Sequence, residues 1–351
     1  MHHSKIEAGV RRLIAEGTVI PAHPLALDAN RALDSIHQRA LTRYYIDAGA
    51  GGLAVGVHTT QFAIREAGLY RPVLELAAET AVGWTKRPLA LVAGLAGPTR
   101  QAVAEAEIAR GIGYHAGLLS LAAMKSASEH EIIDHCTAVA REIPLVGFYL
   151  QPAVGGVILS ADFWRRFAAI DNVIAIKIAP FNRYRTLDVL RGVAAAGALD
   201  RVALYTGNDD HILLDLVLPF DLRDRGVTTR TYFRGGLLGH WSVWTASAVR
   251  QFEMCRAARN KATVPSDLLA LDARVTDCNS AFFDVIHDFH GCIAGCHEVL
   301  RRQGLLDGIW CLDPAEGLSP GQIEEIDRVC NEHADLSDDD FVGANLDKWL
   351  A

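Results

Sequence analysis

No uninterrupted apolar stretch of this 351-residue chain reaches about 18 residues, so no segment reads as a membrane-spanning helix. The N-terminus, Met1-His2-His3-Ser4-Lys5, leads into a polar amphipathic segment and not into an apolar signal core, so a cytoplasmic protein is expected. There is also no run of Lys and Arg, and the formal net charge is -8, which argues against nucleic acid or an anionic membrane as partner. The seven cysteines, at 136, 255, 278, 292, 296, 311 and 330, are odd in number and contain no C-x-x-C pair. Reduced, packed thiols are expected, not a disulfide framework. Cys292 and Cys296, near His290 and His297, share a helical face, but Gly291, Ile293 and Ala294 between them speak for close helix packing over a metal nest. No metal and no cofactor is expected.

What the chain does contain is an ordinary apolar half, 22% charged residues and a repeating pattern. An amphipathic helix over 6–16 is followed by a strand from Thr18 broken by Pro21 and Pro24. Helical patterns at 31–48, 65–85, 99–110, 129–141, 161–169, 184–196 and 211–218 then alternate with short apolar strands at 51–57, 88–94, 114–121, 144–150, 172–180, 201–206 and 231–238. Eight strands alternating with helices predict an α/β fold, a (β/α)8 TIM barrel, over 1–240. The structural alternative is a doubly wound open sheet, which the missing G-x-G-x-x-G at the first helix disfavours. Residues 241–351 read as a C-terminal helical extension packed on the barrel, with strong patterns at 245–258, 266–289 and 293–303. The acidic stretch around Asp338-Asp339-Asp340 reads as a solvated tail that folds back only near Phe341 to Leu350.

One residue sits in the wrong company. In Asn172-Val173-Ile174-Ala175-Ile176-Lys177-Ile178-Ala179-Pro180, the period of two puts Val173, Ala175 and Lys177 on one face and three isoleucines on the other. If helices cover the isoleucines, the ammonium looks into the barrel, loses hydration and becomes a candidate amine nucleophile. A structural ion pair with Asp209 is the alternative. Barrel sites lie at the C-terminal ends of strands. That rule adds His23, His58-Thr59-Thr60, Tyr149, Gly207-Asn208-Asp209 and Gly239-His240. By the same parity, Leu145, Gly147 and Tyr149 share a face that is expected to be the lumen, and His58 shares the face of Ala54 and Gly56.

Tyr149 in Gly147-Phe148-Tyr149-Leu150-Gln151-Pro152, 28 positions before Lys177, resembles the paired signature of the dihydrodipicolinate synthase and N-acetylneuraminate lyase family of Schiff-base-forming class I aldolases. Gly52-Leu53-Ala54-Val55-Gly56 with its threonines, Thr206-Gly207-Asn208-Asp209 and the end from Gly304 to Pro320 resemble further segments of it. The resemblance implies a lyase, aldolase or dehydratase in which the Lys177 amine forms an imine with a 2-oxo acid and Tyr149 shuttles protons. It implies that the threonine loop holds the oxo acid's carboxylate. His58, Thr59, Thr60, Gly207, Asn208 and Gly239 are the expected substrate-binding set. It further implies a homo-oligomer, dimer or tetramer, acting on a small oxo acid or aldehyde.

The chain departs from the family pattern at three places. Val57 and His58 stand where two hydroxyl residues follow the family's glycine, so His58 is placed to replace a threonine relay. The turn Pro152-Ala153-Val154-Gly155-Gly156 lacks the arginine of dihydrodipicolinate synthases, and Ile178 replaces an acidic residue after the lysine. A second substrate other than that of lysine biosynthesis is expected. Two other readings are a barrel that binds ligand without catalysis, and a metal-dependent hydrolase using His23, His58, His211 and His240. The missing H-x-H after the first strand disfavours the hydrolase.

Overall fold

Short strands buried on both faces build the first two thirds of the chain, as parallel sheets covered by helices require. In the computed structural model, which describes residues 1–351 apart from Arg225 and Asn260, α1 (Ala8–Glu16) precedes β1 (Val19–Pro21) and α2 (Ser35–Asp47) precedes β2 (Gly52–Val55). The alternation continues with α3 (Tyr70–Trp84), β3 (Ala90–Leu95), α4 (Thr99–Ile112), β4 (Ala116–Leu119), α5 (Glu129–Ala140) and β5 (Leu145–Leu150). Then come α6 (Ala161–Ala168), β6 (Val173–Ala179), α7 (Arg183–Ala195), β7 (Ala203–Thr206) and α8 (Ile212–Val217). A hairpin of β8 (Phe220–Asp224) and β9 (Val227–Thr231) intervenes before the last barrel strand, β10 (Gly235–Leu238). Thr231, expected on that last strand, therefore belongs to the hairpin.

The eight strands run in the order β1-β10-β7-β6-β5-β4-β3-β2, every neighbouring pair parallel. A bridge between Ala22 and Ala54 closes the ring, with the His23 N–H donating to the Ala54 carbonyl at 2.8 Å. The fold is the expected (β/α)8 TIM barrel with added C-terminal helices: α9 (Thr245–Ala258), α10 (Ser266–Phe282), α11 (Cys292–Arg302), α12 (Gln322–Glu332) and α13 (Asp339–Leu350). No described helix is long and apolar enough to cross a membrane.

Two apolar cores follow from the two faces of the strands. The outer one, between strands and helices, takes Leu53, Leu145, Tyr149, Ile176, Ile178 and Leu204. The lumen takes Ala54, Val92, Leu118, Val146, Phe148, Ala175, Ala179, Tyr205 and Leu237, and is closed below by Ile6, Val10 and Ile14 of the N-terminal segment. Tyr205 anchors that plug by donating to the Ile14 carbonyl at 2.9 Å. β6 carries an irregularity opposite Leu145 and Val146, which pair with Val173 and Ala175 and skip Ile174. The skip moves Val173 to the outer core, correcting its expected place beside Lys177, and leaves Ala175, Lys177 and Ala179 facing inward.

The acidic C-terminal stretch is not a solvated tail. Asp338 is buried, accepting from the Tyr44 hydroxyl at 2.8 Å and the Ala246 N–H at 2.9 Å through one oxygen and from Gln303 at 2.9 Å through the other. Trp349 of α13 packs on Tyr44 of α2. The helix expected over 266–289 stops at Phe282, because Asp284, Asp288 and Phe289 adopt positive φ of 54°, 53° and 69°.

Candidate active site

Lys177 lies near the C-terminal end of β6 and is 8% exposed. On its own strand its inward neighbours are Ala175 and Ala179, while Phe148 and Tyr205 stand opposite it on the flanking strands. Gly207, just after β7, leaves room for its stem: a Cβ there would fall 2.6 Å from Lys177 Cε and 2.8 Å from Ala179 Cβ. The ammonium sits 4.6 Å from the centroid of the Phe148 ring. Burial pulls its pKa from 10.5 down to about 8, against the opposing pull of Asp209.

Asp209 follows Gly207 and Asn208 in the turn after β7 and is buried. One of its carboxylate oxygens accepts from the His240 N–H at 3.0 Å. Burial raises its carboxyl to about 7, with Lys177 and that N–H acting the other way. His58, in the 3-10 turn after β2, is partly buried and its ring meets Phe62 edge-on. Burial, with the Lys177 charge adding to it, holds its imidazole near 4 and hence neutral.

One cavity at the C-terminal mouth of the strands gathers Lys177, His58, Thr59, Gly207, Asp209 and Gly239. Its wall is otherwise largely apolar, with Val57, Phe148, Leu150, Val154 and Phe181 from the barrel. Phe283, Phe289 and Cys292 come from the C-terminal extension. Gly239 is tight against Phe283, whose ring would lie 2.7 Å from a Cβ there. Phe181 and Phe289 face each other edge-on with centroids 5.8 Å apart, both at positive φ. Cys292 has its thiol pushed well up by burial. Sequence patterns missed this wall because its parts are distant in the chain and join only when α10 and α11 dock on the barrel.

Three expected site residues lie elsewhere. Tyr149 faces the helices and not the lumen. Its ring packs on Trp164, its hydroxyl meets the Leu159 carbonyl at 3.4 Å and N–H at 3.3 Å, and it pairs with Ile178 while Phe148 pairs with Lys177. The alternation was right and the assignment of faces inverted: Gly147 is small to admit the Phe167 ring, which would lie 2.6 Å from a Cβ. Thr60 is fully buried and ties β1 to β2, donating to the His23 carbonyl at 2.6 Å and accepting from the Gly56 N–H at 2.9 Å. Asn208 is a brace, donating to Asp215 at 2.9 Å and accepting from the Phe181 N–H at 3.1 Å.

The four histidines of the hydrolase reading are dispersed. His23 bonds Thr42, Gln38 and the Pro24 carbonyl, His211 leans toward Asp272, and His240 stacks on Phe282. Among the described residues, no group with metal-ligand spacing includes any of them.

A model of the dihydrodipicolinate synthetase family matches residues 16–221 of this chain. The chain belongs to that family. In three dimensions it is similar to a dihydrodipicolinate synthase from Acinetobacter baumannii complexed with pyruvate, at 19% identity and TM-score 0.74, covering 90% of this chain and 98% of that one. It is likewise similar to an N-acetylneuraminate lyase from Fusobacterium nucleatum, at 18% identity and TM-score 0.71, covering 91% and 99%. A dihydrodipicolinate synthase from Oceanobacillus iheyensis gives 15% identity and TM-score 0.74, covering 93% and 99%. Identities this low speak for the fold. No curated protein sequence matches the chain.

Proposed function

We propose that the protein is a Schiff-base-forming lyase, aldolase or dehydratase acting on a 2-oxo acid such as pyruvate or a sugar-derived oxo acid, with Lys177 as the nucleophile. One observation carries the reading: a desolvated amine with a pKa of about 8 faces a cavity at the strand ends of a barrel of this family. An appreciable share of such an amine is unprotonated at neutral pH, and it can add to a carbonyl carbon and expel water. The protonated imine then draws electrons from the neighbouring carbon, which loses a proton or breaks a bond to carbon.

His58, Thr59 and the backbone around Gly207 and Gly239 are the groups placed to hold the oxo acid. No guanidinium lines the cavity among the described residues, so the far end of the substrate is not expected to be a carboxylate clamped by arginine. Borohydride reduction in the presence of a panel of oxo acids tests the reading. It predicts an adduct mass on the Lys177 peptide, and its absence across the panel sinks the reading.

The outward position of Tyr149 favours a second reading, a family barrel that binds without turning over. Lys177→Ala separates the two: an enzyme loses turnover, whereas a binder keeps its ligand affinity.

A further inference from the structure

Imine formation moves protons as well as bonds, and the phenol that the sequence offers for that work is on the far side of its strand. Tyr149 is held in the outer core by Trp164 and by the Leu159 backbone and does not line the cavity. The titratable side chains that line the cavity with Lys177 are His58, Asp209 and Cys292. We propose that Asp209 carries the protons of imine formation at Lys177, an inference that rests on the Schiff-base reading above.

Lys177 near the end of β6 and Asp209 in the turn after the neighbouring strand β7 line the same cavity. One Asp209 oxygen is fixed by the His240 N–H, which leaves the other for exchange with a ligand. Its carboxyl, raised to about 7, holds and releases a proton near neutral pH. His58, near 4, has no proton to give there, and the Cys292 thiol keeps its own.

The steps balance. The amine nitrogen attacks the keto carbon, the carbonyl π pair moves to oxygen, and that oxygen takes the proton of the Asp209 carboxylic acid. The carboxylate removes a proton from nitrogen and delivers it to the new hydroxyl, which leaves as water while the nitrogen lone pair forms the C=N bond. Neutral amine, carboxylic acid and ketone become protonated imine, carboxylate and water.

The test compares rates of borohydride trapping with pyruvate in the full chain. Asp209→Asn keeps an oxygen for the His240 N–H and removes the acid, so trapping falls by about 100-fold or more. Asp209→Glu restores part of the rate, and added formate restores trapping in Asp209→Ala, which a purely structural role would not allow. Tyr149→Phe traps like the wild type. Wild-type trapping in Asp209→Asn, or a comparable loss in Tyr149→Phe, overturns the proposal. Failure of formate rescue with no recovery in Asp209→Glu does the same. Should Asp209→Asn not fold, the Glu and Ala variants decide. A wild type that gives no adduct with pyruvate or any other oxo acid removes the Schiff-base reading itself, so the two failures are distinct.

Discussion

Replacing Lys177 by methionine is expected to stabilise the fold while abolishing imine formation. Methionine keeps the stem that lies over Gly207 and removes the charge. A lysine pKa lowered from 10.5 to about 8 reflects a penalty on the charged form of about 3 kcal/mol at neutral pH. The sign follows from proton counts. Between pH 8 and 10.5 the unfolded chain binds a proton that the folded chain has released, so wild-type stability rises with pH through that window. Below it the penalty is fully present.

Removing one partner of a buried pair ordinarily strands a charge at a large cost. Asp209 escapes most of that cost because its carboxyl, already raised to about 7, takes up a proton. Allowing about 0.5 kcal/mol for that uptake, the variant gains about 2 to 3 kcal/mol at pH 7, and the gain shrinks toward zero as pH approaches about 10.5. Urea melts of both proteins at several pH values measure it. A less stable variant, or a gap that does not narrow with pH, refutes the desolvated lysine.

Gly207→Ala places a Cβ 2.6 Å from Lys177 Cε and 2.8 Å from Ala179 Cβ. Stability is expected to fall by about 1 to 3 kcal/mol and the trapping rate by about 100-fold, since the amine must move; unchanged trapping kinetics would show that the lysine is not cradled there. Asp338→Ala leaves the Tyr44 hydroxyl and the Ala246 N–H without their acceptor. A loss of about 3 kcal/mol in a urea melt is expected, and a loss well under about 1 kcal/mol would restore the view of a loosely attached tail.

The alternation of apolar strands and amphipathic helices made the barrel legible, because each strand and each helix must bury a face and the chain supplies both periods locally. Lys177 was legible for the same reason: one cation among alternating apolar residues stands out, with an ion pair to Asp209 as its bland account. The acidic end was not. Asp338 looks like its neighbours Asp339 and Asp340 in sequence, yet it alone meets donors from α2 and the start of α9, and those donors are 294 and 92 positions away. Phe283 and Phe289 escaped notice likewise, since a helical reading of 266–289 hides the left-handed turn that turns Phe289 toward the barrel mouth, and Cys292, read as helix packing, lines the cavity.

Tyr149 shows a limit of a different kind. A strand buried on both faces gives two equivalent sets of alternate residues, and parity cannot say which set lines the lumen. Gly147 suggested room for a ligand, but the room is filled by Phe167 from α6. What decides the face is pairing: Phe148, not Tyr149, stands opposite Lys177, and the ammonium lies over its ring. A phenylalanine beside the amine lowers the polarity around it and offers no proton. Lys177 and Tyr149, whose spacing resembles the family's pair, therefore point to opposite faces of the barrel wall. In the proposed imine chemistry the proton carrier is then Asp209, in the turn after the neighbouring strand, which shares the cavity of Lys177.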